Sequence, residues 1–75
     1  MRELYIDRKR TGERIKEQIH ESKLSQIKVA KLLNVSPVVV NRWICGKHIP
    51  DTDSILHLAD ILGIQVDKLI VRKKF

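Results

Sequence analysis

The sequence predicts an all-α fold, a compact five-helix domain, and three observations predict it. Apolar residues recur at three- and four-residue intervals along most of the chain, the period of helices buried on one side. Helix-capping residues punctuate that pattern: Ser25, Ser36 followed by Pro37, Asp51, and Gly63. The composition, 43% hydrophobic and 32% charged, is that of a globular chain rather than a disordered one. Seventy-five residues make one domain with a modest core.

Helix one is expected over residues 12–22, with Thr11 as N-cap and Ile15 and Ile19 facing inward. Helix two begins after Ser25 and carries Val29, Ala30, Leu32 and Leu33 as its apolar set. Helix three begins at Ser36-Pro37, where proline's missing N–H costs nothing at the first helical position. It turns Val40 and Trp43 inward and ends near Gly46. Helix four follows Asp51 as N-cap, with Ile55, Leu56, Ala59 and Leu62 apolar and Gly63 closing it. A last short helix is expected over residues 66–70. Leu4-Tyr5-Ile6 and Leu69-Ile70-Val71 are short apolar runs bounded by charge. They have the pattern of edge strands that pair with each other or with a second chain. The expected layout is an N-terminal arm or short strand at 1–10, a helical domain at 11–70, and a basic tail at 71–75. Gly12, Gly46 and Gly63 read as isolated turn or cap residues.

The connection between helices two and three is only about three residues long, around Asn34-Val35-Ser36. So short a link makes the two helices cross steeply, the helix-turn-helix geometry, here over residues 26–45. Such a turn needs one residue at positive φ, and Asn34 tolerates that best among non-glycine residues. Ala30, being small, permits close approach of the two helices.

Charge distribution points to a partner. The net charge is +6, but its placement says more. Between Ser22 and Pro50 stand Lys23, Lys28, Lys31, Arg42 and Lys47, with no Asp or Glu among them, whereas the flanks carry both signs. A solvated face normally mixes signs, so the middle third reads as a polyanion-facing surface. The basic clusters Arg8-Lys9-Arg10 and Arg72-Lys73-Lys74 read as solvated ends, either of which would be placed to add phosphate contacts.

Other chemistries lack their residues. No apolar run approaches the roughly 20 residues of a membrane helix, and the opening residues do not have the pattern of a signal peptide. Cys45 is the only cysteine, which fits a reducing, cytoplasmic setting and leaves no internal disulfide. Cys45 and His48, with His20 and His57 scattered elsewhere, do not make the paired ligand sets of a zinc site. No glycine-rich phosphate loop, nucleophile–base pair or acid pair suggests catalysis, so no enzyme, cofactor or small-molecule ligand is expected. With Tyr5, Trp43 and Phe75 as the only aromatics, and Trp43 spaced to face inward, RNA binding by base stacking is disfavoured.

Residues 11–70 resemble the lambda-repressor-like, Cro-type helix-turn-helix family. The likeness lies in Gly12-Glu13-Arg14-Ile15-Lys16-Glu17, in Leu24-Ser25-Gln26, and in Val29-Ala30-Lys31-Leu32-Leu33-Asn34-Val35-Ser36. It continues through Arg42-Trp43, Gly46-Lys47, Pro50, Leu58-Ala59-Asp60-Ile61-Leu62-Gly63-Ile64 and Asp67-Lys68-Leu69. The resemblance implies sequence-specific binding of double-stranded DNA by a small bacterial or phage transcriptional regulator of repressor type. Pro37, Val38, Asn41 and Arg42 would then face base edges in the major groove, and Gln26, Lys28, Val39, Lys47 and His48 the backbone. Arg42 suits bidentate recognition of guanine, Asn41 adenine or a phosphate, and Val38 a thymine methyl. Binding of two half-sites would need a homodimer, expected to be weak, built from the terminal segments or the last helix. The alternative is a protein-interaction module or antitoxin that uses Val38, Val39 and Ile44 as an adhesive patch.

Two departures from the family pattern stand out. The reading surface Pro37-Val38-Val39 is unusually apolar. The family's buried ion pair between helices one and three is replaced at both ends, by Ile19 and Ile44, which predicts an Ile19–Ile44 contact. Replacing a whole buried pair is often neutral, whereas losing one partner costs about 3–5 kcal/mol. Gln18 falls where the family commonly has an apolar residue.

Overall fold

The computed structural model describes residues 6–73. Four α-helices follow one another: α1 (Arg8–Ser22), α2 (Gln26–Leu33), α3 (Pro37–Ile44) and α4 (Thr52–Leu62), then one turn of 3-10 helix at Val66–Lys68. The expected fifth α-helix is therefore this single turn. Its bonds run from Lys68 N–H to the Gln65 carbonyl and from Leu69 N–H to the Val66 carbonyl, the tighter i→i+3 spacing. The chain then straightens to reach the N-terminal segment.

The caps explain most boundaries. Ser25, Ser36 and Asp51 each accept a hydrogen bond from a backbone N–H three residues on. Helix α1 begins four residues before the expected start. Asp7 caps it, its Oδ1 accepting from Arg10 N–H at 3.0 Å, and the good helix formers Arg8, Lys9 and Arg10 make its first turn. Thr11 is thus not a cap. It is buried inside the helix, where its hydroxyl accepts from Val71 N–H at 2.9 Å. Asp7 N–H also donates to the Val71 carbonyl at 2.8 Å, and Ile6 and Arg72 form one isolated antiparallel bridge. The expected terminal strands reduce, among the described residues, to that bridge; Leu4 and Tyr5 lie outside the described residues.

The core is a single cluster. Ile15, Val29, Val40, Leu58 and Leu69 have no exposed surface, and Ile19, Ala30, Leu33, Trp43, Ile55 and Ala59 complete it. Trp43 is core, as its spacing from Val40 implies. Leu32 and Leu56, counted in the apolar sets of their helices, are half-exposed, while Leu58 takes the inner position on α4. The inner faces are set by residues 29, 30 and 33 on α2 and 55, 58 and 59 on α4. Leu32 and Leu56 each sit about 100° from an inner-face neighbour. Leu62 is half-buried against the same cluster.

Helix α1 packs on α3 at close range through Gly12. This glycine is buried in mid-helix, and a Cβ there would fall on the carbonyl oxygens of Trp43 and Ile44. It is neither a turn nor a cap, and it is what lets the two backbones touch. Ile19 lies within the core and Ile44 is half-buried against it. Arg14 ties the far end of the chain to α1 by donating to the Lys68 carbonyl at 3.1 Å.

Candidate nucleic-acid interface

The α2–α3 unit is built from local signals that agree with one another. Asn34 stands at φ 60°, ψ 41°, the left-handed conformation the short turn requires. Its N–H donates to the Lys31 carbonyl at 3.1 Å and Val35 N–H to the Ala30 carbonyl at 3.0 Å, a Schellman closure that ends α2 and redirects the chain. Ser36 then starts α3 at once. Its hydroxyl accepts from Val39 N–H at 3.4 Å, and Pro37 fills the first position. Ala30 is buried beneath the turn.

This frame presents one exposed stripe on α3: Pro37, Val38, Asn41 and Arg42, spaced as one helix face. Val38 is 58% exposed, which leaves its methyls available to a partner. Val39 differs from its neighbour. It is half-buried, packs on the core and lines a hollow of about 380 Å³ beside Arg42, Trp43 and His48.

The Cys45 thiol, one helical turn on, donates to Asn41 Oδ1 at 3.6 Å, a weak bond that leaves the amide's N–H donors and a second lone pair open. The end of α3 is closed by Gly46 at φ +77°. Lys47 N–H donates to the Arg42 carbonyl at 2.9 Å and His48 N–H to the same oxygen at 3.3 Å. The exposed Lys47 and His48 are thereby fastened directly behind Arg42.

At the start of α2, Ser25 caps Lys28 N–H at 3.0 Å. Gln26 is half-buried as the first helical residue and Lys28 is exposed. Lys23, Lys31, Arg42 and Lys47 are exposed as well, so every cation of the acid-free middle third reaches solvent. Sequence reasoning missed Ile27, which is 68% exposed beside Gln26 and borders a shallow hollow with Pro37. The signal was present: Ile27 falls off the face defined by Val29, Ala30 and Leu33.

At the base of α4, Asp51 Oδ1 accepts from Ser54 N–H at 2.8 Å. Hydrogen bonding from Ser54, through its side chain first and its backbone second, holds the Asp51 carboxyl below its usual range. Among the described residues, no three or more His, Cys, Asp or Glu side chains gather as metal ligands. No helix among them is long and apolar enough to cross a membrane.

Comparison with known proteins agrees with this geometry. No curated protein matches the chain by sequence. The restriction-modification controller protein C.AhdI from Aeromonas hydrophila superposes with a TM-score of 0.79 at 28% identity, over 84% of this chain and 91% of that one. The DNA-binding domain of the P22 C2 repressor superposes with a TM-score of 0.74 at 29% identity, over 79% of this chain and 78% of that one. Hydroxypropylphosphonic acid epoxidase from S. wedmorenis shares the fold alone, at 21% identity and a TM-score of 0.80, over 87% of this chain and 35% of the enzyme. The Helix-turn-helix family matches residues 15–69, nearly all of the helical core described above, and the chain belongs to that family.

Proposed function

We propose that this chain is a sequence-specific binder of double-stranded DNA and acts as a small transcriptional regulator of repressor type. The observation that carries the reading is the exposed stripe Pro37, Val38, Asn41 and Arg42 on a helix held steeply against α2 by the Asn34 turn. A helix so presented fits the major groove with its N-terminal half toward base edges. The similarity to a controller protein and to a repressor's DNA-binding domain supports the same reading.

Arg42 offers the fork that guanine O6 and N7 accept. Asn41 keeps both N–H donors and a free lone pair on its oxygen, so it suits adenine N6 and N7 or a phosphate. Val38 and Pro37 provide methyl and ring surface for thymine methyls. Gln26, Lys28, Lys47 and His48 are placed for phosphates on either side of the groove, and the open N–H groups at the start of α2 add to them. Val39 contributes by fixing α3 on the core rather than by touching DNA.

The DNA-binding unit spans residues 11–70, and α1 begins before it at Arg8. The protein works in the cytoplasm, needs no cofactor, and binds two half-sites about 34 Å apart as a homodimer that tightens on DNA. Its mechanism involves no chemical reaction. The test is duplex binding across ionic strength. Affinity is expected to fall by orders of magnitude between about 50 and 200 mM salt. Absence of binding even at low salt would instead favour the protein-interaction module, in which Val38, the exposed member of the Val38, Val39 and Ile44 patch, meets the partner.

A further inference from the structure

The two basic ends, which read in sequence as separate solvated tails, meet in the structure. The Ile6–Arg72 bridge and the Asp7 N–H bond to the Val71 carbonyl lay the C-terminal segment against the start of α1. Arg10, Arg72 and Lys73 consequently border one open hollow of about 490 Å³, with Asp7 and Val71 as its other walls. On the other side, the first turn of α1 abuts the end of α3. A Cβ on Gly46 would come within 2.9 Å of the Lys9 Cα and 3.3 Å of the Arg8 carbonyl oxygen. Lys47 is the next residue. Arg8, Lys9, Arg10, Arg72 and Lys73 are all exposed; of the acids beside them, Asp7 caps α1 and Asp67 lines the hollow on the other side of Arg72.

We infer that these five cations, which surround the first turn of α1 between the C-terminal segment and the end of α3, form a second backbone-binding strip beside Lys47 that grips the phosphodiester chain of duplex DNA flanking the site read by α3. The inference rests on the DNA-binding reading above and extends it. Positive charge concentrated on fixed backbone, rather than on free tails, is arranged without further ordering of the chain, so contact with phosphates loses less conformational entropy. The strip offers no grouping suited to base edges, and its contribution is independent of sequence.

The test compares the salt dependence of duplex binding for wild type, Arg72→Gln/Lys73→Gln, Arg8→Gln/Lys9→Gln, and Lys16→Gln as a charge control on the exposed side of α1. The bridge at Arg72 is made by backbone, and glutamine is a good helix former, so the fold should survive; a thermal melt confirms it. Each lost phosphate contact should flatten the plot of log K against log salt by about 0.9. Both double variants should flatten it by about one to two units, equally on a selected site and on a scrambled duplex, with little change for Lys16→Gln. Slopes equal to wild type in both variants, or a flattening per charge no larger than that of Lys16→Gln, would overturn the strip. If wild type itself fails to bind duplex, the DNA-binding reading falls first. If wild type binds and the variants match it, the strip alone falls.

Discussion

Helix α3 is held on two sides, and the two sides are built differently. Against α2 it is positioned by a turn, with Asn34 in the left-handed conformation, Ser36 and Pro37 restarting the helix, and Ala30 beneath. Against α1 it is positioned at a seam, by contact of backbone on backbone at Gly12, with Ile19 in the core and Ile44 half-buried against that core. The turn is a local device and the seam a long-range one. The turn sets the angle at which α3 leaves α2; the seam sets how deeply α3 sits in the domain, and hence how far Val38 and Arg42 stand out from it.

The largest expected effect is at the seam. Gly12→Ala drives a methyl into two carbonyl oxygens that belong to backbone and cannot swing aside. Overpacking of this kind should cost about 3 kcal/mol or more, read by denaturant unfolding. A cost below about 1 kcal/mol would mean that α1 and α3 do not approach so closely. The turn should be more forgiving. Asn34→Ala should cost about 1–2 kcal/mol, because alanine lacks asparagine's tolerance of positive φ, and Asn34→Gly should be close to neutral. Equal losses for both substitutions would show that Asn34 acts through its side chain rather than its backbone.

The isoleucines allow the seam to be sharpened. In a double-mutant cycle of Ile19→Ala and Ile44→Ala, direct contact predicts a coupling of about 0.5–1 kcal/mol, and simple additivity would separate the two side chains. The smallest effect lies at the base of α4. Asp51 has its pKa lowered from 3.8 by hydrogen bonds from Ser54, so its ionised form is favoured by folding. Its contribution is present above that value and disappears as pH falls through it and through the folded-state value below. Asp51→Asn, which keeps a capping oxygen, should lower the melting temperature slightly near neutral pH and match wild type in acid. A difference that persists unchanged in acid would assign the effect to packing instead.

The same contrast decides what could be seen in the sequence. The turn was legible because each of its requirements is local: a residue tolerant of positive φ, a capping serine, a proline at the first position. Gly12 gave no such sign, since its role depends on carbonyls of residues 43 and 44, more than thirty positions away. The start of α1 was misplaced for a related reason. Thr11 looks like a cap locally, but its hydroxyl is committed to Val71, sixty residues on. On the site, the family resemblance implied that Pro37, Val38, Asn41 and Arg42 face outward, and all four are exposed. The burial of Val39 and the engagement of Asn41 by Cys45 needed three dimensions, because both depend on side-chain packing around α3. The convergence of the terminal cations likewise rests on a backbone bridge that short apolar runs only hint at.

All of this serves one claim, that α3 reads duplex DNA through its exposed stripe. Selection of bound sites from a random duplex pool, run in parallel for wild type and Arg42→Ala, tests it most directly. The account predicts a short enriched motif for wild type, with one guanine position that relaxes in the variant at a loss of about 1–3 kcal/mol. No enriched motif, or the same motif with the same affinity for both proteins, would contradict it.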